Sequence, residues 1–290
     1  MIVVGVDGSV PSRAAVEWAV DDALRTHKPL RIVHAVDRSP YQIAKFPGAE
    51  WPDALVKAGQ KILDEALAVA RDRQPSVDVT TKLEDGAPAL VLTGQDAAAT
   101  EIVVGSRGHG GFAGALLGSV SGHVAGRARC PVVVVRGAPQ QARGQVVVGV
   151  DDSQESEPAL RYAFEQAMLR GATLRAIHAW QLPVHAFAPE IAYDMDDIRT
   201  AQYQIVRAAL ERFEKEYPQV TVVEDIQSGH PVEALTRASA DGDLVVVGSH
   251  GRGGLGAMLL GSVSRGVLHH AHCPVAVVRS RPEGPQDAGT

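Results

Sequence analysis

Cysteine is almost missing from this chain: Cys130 and Cys273 are the two in 290 residues, each immediately before a proline. Two isolated thiols build neither a disulfide framework nor a metal site, so both read as small buried residues. Long apolar runs are missing too. Stretches such as Val132 to Val135 are far too short to cross a bilayer, and no membrane insertion is expected. Nor is there an excess of positive charge. With 28 Lys and Arg against 34 Asp and Glu, the formal charge is −6, which argues against general nucleic-acid binding. The first strand begins near Ile2, leaving no room for a presequence, so a cytoplasmic location is expected.

What is present is a repeat. Val103 to Ser121, VVGSRGHGGFAGALLGSVS, returns as Val246 to Ser264, VVGSHGRGGLGAMLLGSVS, identical at 13 of 19 positions. Each copy runs from a β-branched stretch through spaced glycines to Gly-Ser opening a helix. The spacing is G-x2-G-x9-G-S: Gly105, Gly108, Gly118 and Ser119 in one copy, Gly248, Gly251, Gly261 and Ser262 in the other. Main chain without side chains wraps an anion closely, successive N–H groups form a concavity for it, and a helix N-terminus adds unpaired donors. The Ser119 and Ser262 hydroxyls can join such a phosphate site or cap the helix. Between the glycines stand Ser106, Arg107, His109, Gly110 and Gly111, matched by Ser249, His250, Arg252, Gly253 and Gly254, with no acid among them. A flexible linker, or glycines that let a helix pack on a sheet, is the plainer reading of one copy. Two copies at matched spacing favour a nucleotide-phosphate cradle.

The repeat extends further. Val3 to Ser9 (VVGVDGS) returns as Val147 to Ser153 (VVGVDDS), and Ile32-Val-His34-Ala35 as Ala176-Ile-His178-Ala179. Residues 1–136 and 145–280 are expected to be two domains of one fold, joined by a linker at 137–144 and followed by a disordered tail at 281–290. Short apolar runs alternate with helical patterns. Strands are expected near 2–7, 30–36, 77–83, 101–105 and 131–136, then near 145–151, 173–179, 220–226, 243–248 and 274–279. Helices are expected near 11–27, 51–73, 86–98, 118–129 and 196–216. The helix at 51–73 is expected to turn Leu55, Ile62, Ala66 and Val69 inward, and that at 196–216 Val206, Ala209, Leu210 and Phe213. The fold class is α/β: two tandem flavodoxin-like, doubly wound domains, each a five-stranded parallel sheet in the order 3-2-1-4-5. That order sets strands 1 and 4 side by side, bringing Asp7 to the Gly105 loop and Asp151 to the Gly248 loop. Each aspartate either accepts from ribose hydroxyls or caps the next helix.

Taken together, these motifs resemble the universal stress protein family, in the tandem form of its ATP-binding branch. The resemblance implies one ATP per half, with Mg2+ able to travel with the phosphates. It implies ribose at Asp7 and Asp151, adenine read by main chain at Ala35 and Ala179, and the triphosphate held by the glycines with Ser119, Val120 and Ser121 or Ser262, Val263 and Ser264. Gly5 and Gly149 would leave room for the nucleotide. It also implies a homodimer and a regulatory protein partner of unknown identity. Asp152 in place of Gly8, and the exchange of Arg and His between the loops, suggest sites of unequal affinity.

Other readings have less support. No glycine loop ends in Lys as a P-loop requires, and strand 1 is followed by an aspartate where a dinucleotide-binding fold has glycines. No dedicated acid, base and nucleophile set stands near the crevice, so the expected role is nucleotide-dependent regulation of stress response and growth. A slow ATPase or adenylyl-transferring enzyme is the alternative, and a scaffold that binds nothing specific is a third. His269, His270 and His272 read as surface histidines near a helix end, and His34 and His178 as satisfied core residues.

Overall fold

In a computed structural model, residues 1–37, 51–108, 117–137, 142–153, 156–181, 195–251 and 260–280 are described. The expected tail at 281–290 and linker positions 138–141 lie outside them. In the first half, strands β1 (Ile2–Gly5), β2 (Leu30–Val36), β3 (Val79–Asp85), β4 (Glu101–Gly105) and β5 (Val132–Val135) alternate with helices. These are α1 (Val10–Thr26), α2 (Trp51–Arg73), α3 (Pro88–Thr93) and α4 (Ser119–Arg127). The second half repeats them as β6 (Gln145–Gly149), α5 (Glu157–Arg170), β7 (Thr173–Trp180), α6 (Met195–Glu216), β8 (Val222–Ser228), α7 (Pro231–Ala238), β9 (Leu244–Gly248), α8 (Ser262–His270) and β10 (Val275–Val278).

Local chemistry sets the ends of α1. Ser9 caps it by accepting from Ser12 N–H, and Pro11 stands in the first turn, where its missing N–H has no cost. His27 closes it in the left-handed region, where the equivalent α5 uses Gly171. On α2 the buried face centres on Leu63 and Ala70, with Ile62, Ala66 and Val69 flanking. The expected stripe is thus rotated by about one residue. On α6 the face is as expected, Val206, Leu210 and Phe213 being buried. Strands β3 and β8 run two residues later than their alternation suggests. Each follows its neighbour to the neighbour's end, where the outer strand tolerates polar residues such as Glu84 and Asp85. The expected helix over 86–98 shortens to α3, preceded by Gly86 at φ 132°.

Within each half the strand order is 3-2-1-4-5 and all neighbours are parallel. The two sheets are not separate, however. β5 pairs antiparallel with β10, Val133 opposite Ala276, giving one ten-stranded sheet in the order β3-β2-β1-β4-β5-β10-β9-β6-β7-β8. The valine-rich last strand of each half, an open edge if that half stood alone, is therefore satisfied inside one chain. Two apolar layers cover the sheet, and both run across the joint. One combines Val4, Val103 and Val133 with Val146, Phe164 and Leu210; the other combines Val104, Val124 and Val134 with Val245, Val267 and Val275. Cys130 and Cys273 lie in the second layer as reduced thiols, and burial pushes the Cys273 thiol up to about 12. The described end of the linker is pinned, since Asp243 accepts from the N–H groups of Arg143 and Gly144 at 2.7 Å each.

A buried polar seam joins α1 to α5 and has no counterpart by repetition. Asp22, 1% exposed, accepts from Arg25 and Arg170 at 3.1 Å each and from Gln166 at 3.4 Å. Glu101, at the start of β4, accepts from the Tyr162 hydroxyl at 2.6 Å, while its other oxygen is buried without a hydrogen-bond partner among the described residues. Burial, and secondarily the Asp22 charge, push the Glu101 carboxyl up to about 8, against the lowering effects of Tyr162, Arg170 and Lys28. A carboxyl raised on folding holds its proton better in the native state. Its contribution is present below the ordinary value of 4.5 and is lost as pH rises toward 8.

Two outcomes are expected. Replacing Glu101 by Gln should flatten the fall in stability between pH 5 and pH 8, leaving the variant more stable than wild type at pH 8; parallel Tm-against-pH curves would refute this. Gly105→Ala should cost roughly 1–3 kcal/mol in denaturant unfolding, because its Cβ would lie 2.7 Å from the Pro11 backbone.

Candidate functional site

At the carboxyl end of β1 the chain leaves the sheet after Gly5, and Asp7 turns back toward the β4 loop. Its Oδ1 accepts from Ser9 N–H at 3.0 Å and from the Ser9 hydroxyl at 2.6 Å. Its Oδ2 lies so close to Gly108 that a Cβ there would stand 2.2 Å from it. The second half repeats this arrangement. Asp151 Oδ1 accepts from Ser153 N–H at 3.0 Å and its hydroxyl at 2.5 Å, and a Cβ on Gly251 would stand 2.4 Å from Oδ2. The middle glycine of each motif is therefore the place where a carboxylate rests on bare main chain. The aspartates fix the turn before the helix, while the capping group itself is Ser9 in the first half.

Ladder bonds clamp each loop at its base. Ser106 N–H donates to Val135 at 2.8 Å, and Gly118 N–H donates back to Ser106 at 2.7 Å. The second half has Ser249 on Val278 at 2.8 Å and Gly261 on Ser249 at 2.8 Å. The Ser121 hydroxyl donates to the Gly105 carbonyl at 2.7 Å, and that of Ser264 to the Ser249 carbonyl at 3.0 Å. Both hydroxyls are buried and tie the helix to the strand. Gly118 and Gly261 cap α4 and α8 with extended backbone and no side-chain bond, so the capping residue leaves the first-turn N–H groups open to an outside acceptor. Ser119 and Ser262 are exposed beside them, with Val120 and Val263 half-buried.

Three glycines also answer to neighbouring protein atoms. Gly105 makes room for the backbone of α1. Gly5 and Gly149 leave space for leucines: a Cβ on Gly5 would stand 2.6 Å from Leu92 of α3, and one on Gly149 3.2 Å from Leu235 of α7. Leu235 lines the cavity of the second half, and the motifs marked neither leucine. A nearer guide would have been the repeat itself, which places Leu92 and Leu235 at the same offset of 143.

Ala35 and Ala179 lie where β2 and β7 run on past the ends of β1 and β6. Val33 accepts from Val6 N–H at 2.9 Å, and Ile177 from Val150 N–H at 2.8 Å. Two residues on, the alternation of a strand turns Ala35 and Ala179 to the same side, past the point where β1 and β6 have ended. In the second half this corner opens into a cavity of about 550 Å³ lined by Asp151, Ala179, Leu235, Gly251, Gly261 and Ser262 among others. That is the size class of small-molecule sites. Gly149, Gly248, His250, Val263 and Ser264 also line it. So does Arg265, unforeseen from sequence. His250 Nδ1 lies 3.1 Å from the Ser249 hydroxyl, and its Nε2 is buried without a partner among the described residues. His178 is buried with Nδ1 2.8 Å from the Val150 carbonyl and Nε2 2.8 Å from the Gln202 amide; it is a satisfied core histidine. His34 reaches the Val6 carbonyl in the same way at 2.7 Å.

Arg107 is exposed at the first loop. His109, Gly110 and Gly111, with Arg252, Gly253 and Gly254, lie outside the described residues. The Gly8 to Asp152 difference changes backbone as well as charge: Gly8 takes φ 83°, whereas among described non-glycine residues only His27 has positive φ. Among the described residues, no three His, Cys, Asp or Glu side chains gather to hold a metal ion, and no helix is long and apolar enough to cross a membrane.

Comparison with known proteins agrees with this layout. The family model described as the universal stress protein family matches residues 1–136 and again 143–279. Universal stress protein Rv2005c of Mycobacterium tuberculosis is 37% identical, with 96% of each chain covered. Universal stress protein Rv2623 of the same organism is 36% identical at the same coverage. A universal stress protein structure from Archaeoglobus fulgidus superposes with a TM-score of 0.70 over 98% of this chain and 97% of that one; at 21% identity this bears on the fold alone. With two copies of the family's domain in succession and relatives alike over nearly their full length, the chain belongs to the universal stress protein family.

Proposed function

We propose that this protein binds ATP, one molecule in each half, and acts as a nucleotide-dependent regulator of stress response and growth in the cytoplasm. One observation carries the reading. In both halves a strand-end carboxylate rests on a loop glycine beside an uncapped helix N-terminus, and in the second half the three border one cavity. The residues suit the nucleotide's chemistry. Asp7 and Asp151 would accept from ribose hydroxyls, and the main chain at Ala35 and Ala179 would meet the base edge. The first-turn N–H groups of α4 and α8, with the Ser119 and Ser262 hydroxyls, would donate to phosphate oxygens, where the helix dipole favours negative charge. Any Mg2+ would arrive with the phosphates.

The role proposed is binding without fast chemistry. Around the second cavity the ionisable side chains among the described residues are Asp151, His178, His250 and Arg265, and His178 is committed to the core. That set can hold and orient an anion but contains no evident pairing of nucleophile with base. A homodimer now rests on family expectation alone, since β5 and β10 satisfy each other.

Denaturing the purified protein and weighing the released nucleotide should recover intact ATP. ADP or AMP accumulating with turnover would favour the hydrolytic or adenylyl-transferring alternative, and failure to bind any nucleotide would favour a scaffold. Calorimetric titration of nucleotide-free protein should count two sites, falling to one in Asp7→Ala or Asp151→Ala, each loss weakening its own site roughly 10- to 100-fold. Gly108→Ala should mimic Asp7→Ala with little change in Tm, because its methyl displaces the carboxylate rather than a backbone. Two undiminished sites in Gly108→Ala would show that the Asp7 contact is irrelevant to binding.

A further inference from the structure

The last strand of each half is followed by an arginine, Arg136 after β5 and Arg279 after β10. Each crosses the joint. Arg136 Nη1 donates to the carbonyl of Ala271, the C-terminal cap of α8, at 3.2 Å. Arg279 Nη2 donates to the carbonyl of Gly126, in the last turn of α4. Both guanidinium groups are half-buried, and burial lowers the pKa of each; for Arg136 the nearby Arg107 charge adds to this. A helix presents unsatisfied carbonyls and the negative end of its dipole at its C-terminus, so a cation held there fixes that end.

The two helices so held are the two that open on the candidate nucleotide sites. α4 and α8 are nine residues each, about two and a half turns, so a grip on one end governs the direction of the other. We propose that Arg136 and Arg279 are positioning residues acting in exchange, Arg136 for the second half's nucleotide site and Arg279 for the first's. The inference rests on the ATP reading of those sites and adds to it a dependence of each site on the opposite half. Chain proximity points the other way. Arg136 directly follows Val135, whose carbonyl anchors Ser106 at the first loop, and it shares that neighbourhood with Arg107. An arginine acting merely as local positive charge would therefore serve its own half.

The two accounts separate in single-site backgrounds of the full-length chain. With the first site silenced by Asp7→Ala, adding Arg136→Ala should weaken ATP at the remaining second site roughly two- to tenfold. With the second site silenced by Asp151→Ala, the same substitution should leave the first site within about twofold. Arg279→Ala should give the reverse pattern. Equal weakening of both sites, or weakening confined to the substituted half, overturns the proposal. Amide exchange of nucleotide-free protein supplies a readout that needs no ATP. Arg136→Ala should speed exchange in residues 262–270 and spare 119–127, with Arg279→Ala doing the opposite; unchanged exchange in both helices also overturns it. If wild type binds no ATP but exchange shifts as described, the nucleotide reading fails and the crossed positioning stands.

Discussion

Each half taken alone would end on a strand, Val132–Val135 or Val275–Val278, with a row of outer N–H and C=O groups facing nothing. Side chains cannot solve that, because both strands are buried on both faces and must stay apolar. The remaining solution is another edge, and the other half of the same chain supplies it. Pairing β5 with β10 joins the sheets and continues the apolar layers across the seam without a break. The pairing is antiparallel while every other pairing is parallel, so the halves are inverted relative to each other. Their crevices consequently open at opposite ends of the sheet. The carboxyl end of each half's last strand is then brought near the C-terminus of the other half's loop-bearing helix, which is where Arg136 and Arg279 are found.

Much of this architecture is legible in the sequence because repetition checks itself. A glycine at one position is weak information, but Gly108 and Gly251 recur together with Asp7 and Asp151, and the structure brings each pair into contact. Strand order follows from the alternation of elements, since short links and right-handed crossovers leave few ways to arrange five parallel strands. What sequence cannot apportion is the reason for each glycine. Gly105 answers to the backbone of α1, Gly5 and Gly149 to leucines, and Gly108 and Gly251 to carboxylates. Within one motif, spacing identifies positions that exclude a side chain without saying what occupies the space.

The joint itself is legible only as an edge in need of a partner. Valine runs state that a strand is buried, and they leave its neighbour unnamed; intrachain pairing and association of two chains look alike at that level. Arg136 and Arg279 are hidden for a related reason. A basic residue after a final strand reads as the first solvated position, and its reach across the joint exists only once the joint is known. The register of α2 differs from its periodicity by about one residue because its alanines and leucines occupy a broad stripe, packed against α1, β2 and β3.

Duplication also conceals whatever is not duplicated. The seam of Asp22, Glu101, Tyr162 and Arg170 draws acids from one half and their partners largely from the other; by repetition Gln166 stands for Asp22 and Leu244 for Glu101. A symmetric seam would have set four carboxyls in one apolar layer, with burial disfavouring each charge. Dividing the roles sets Asp22 against two arginines, while Glu101 is held by a tyrosine hydroxyl. The same economy of asymmetry occurs at the turns, where Gly8 enters the left-handed region and Asp152 does not, yet both aspartates keep their serine contacts within 0.1 Å. Geometry at the carboxylates is thus preserved while the charge beside them changes, so a difference in affinity between the two crevices would not come from a misplaced aspartate.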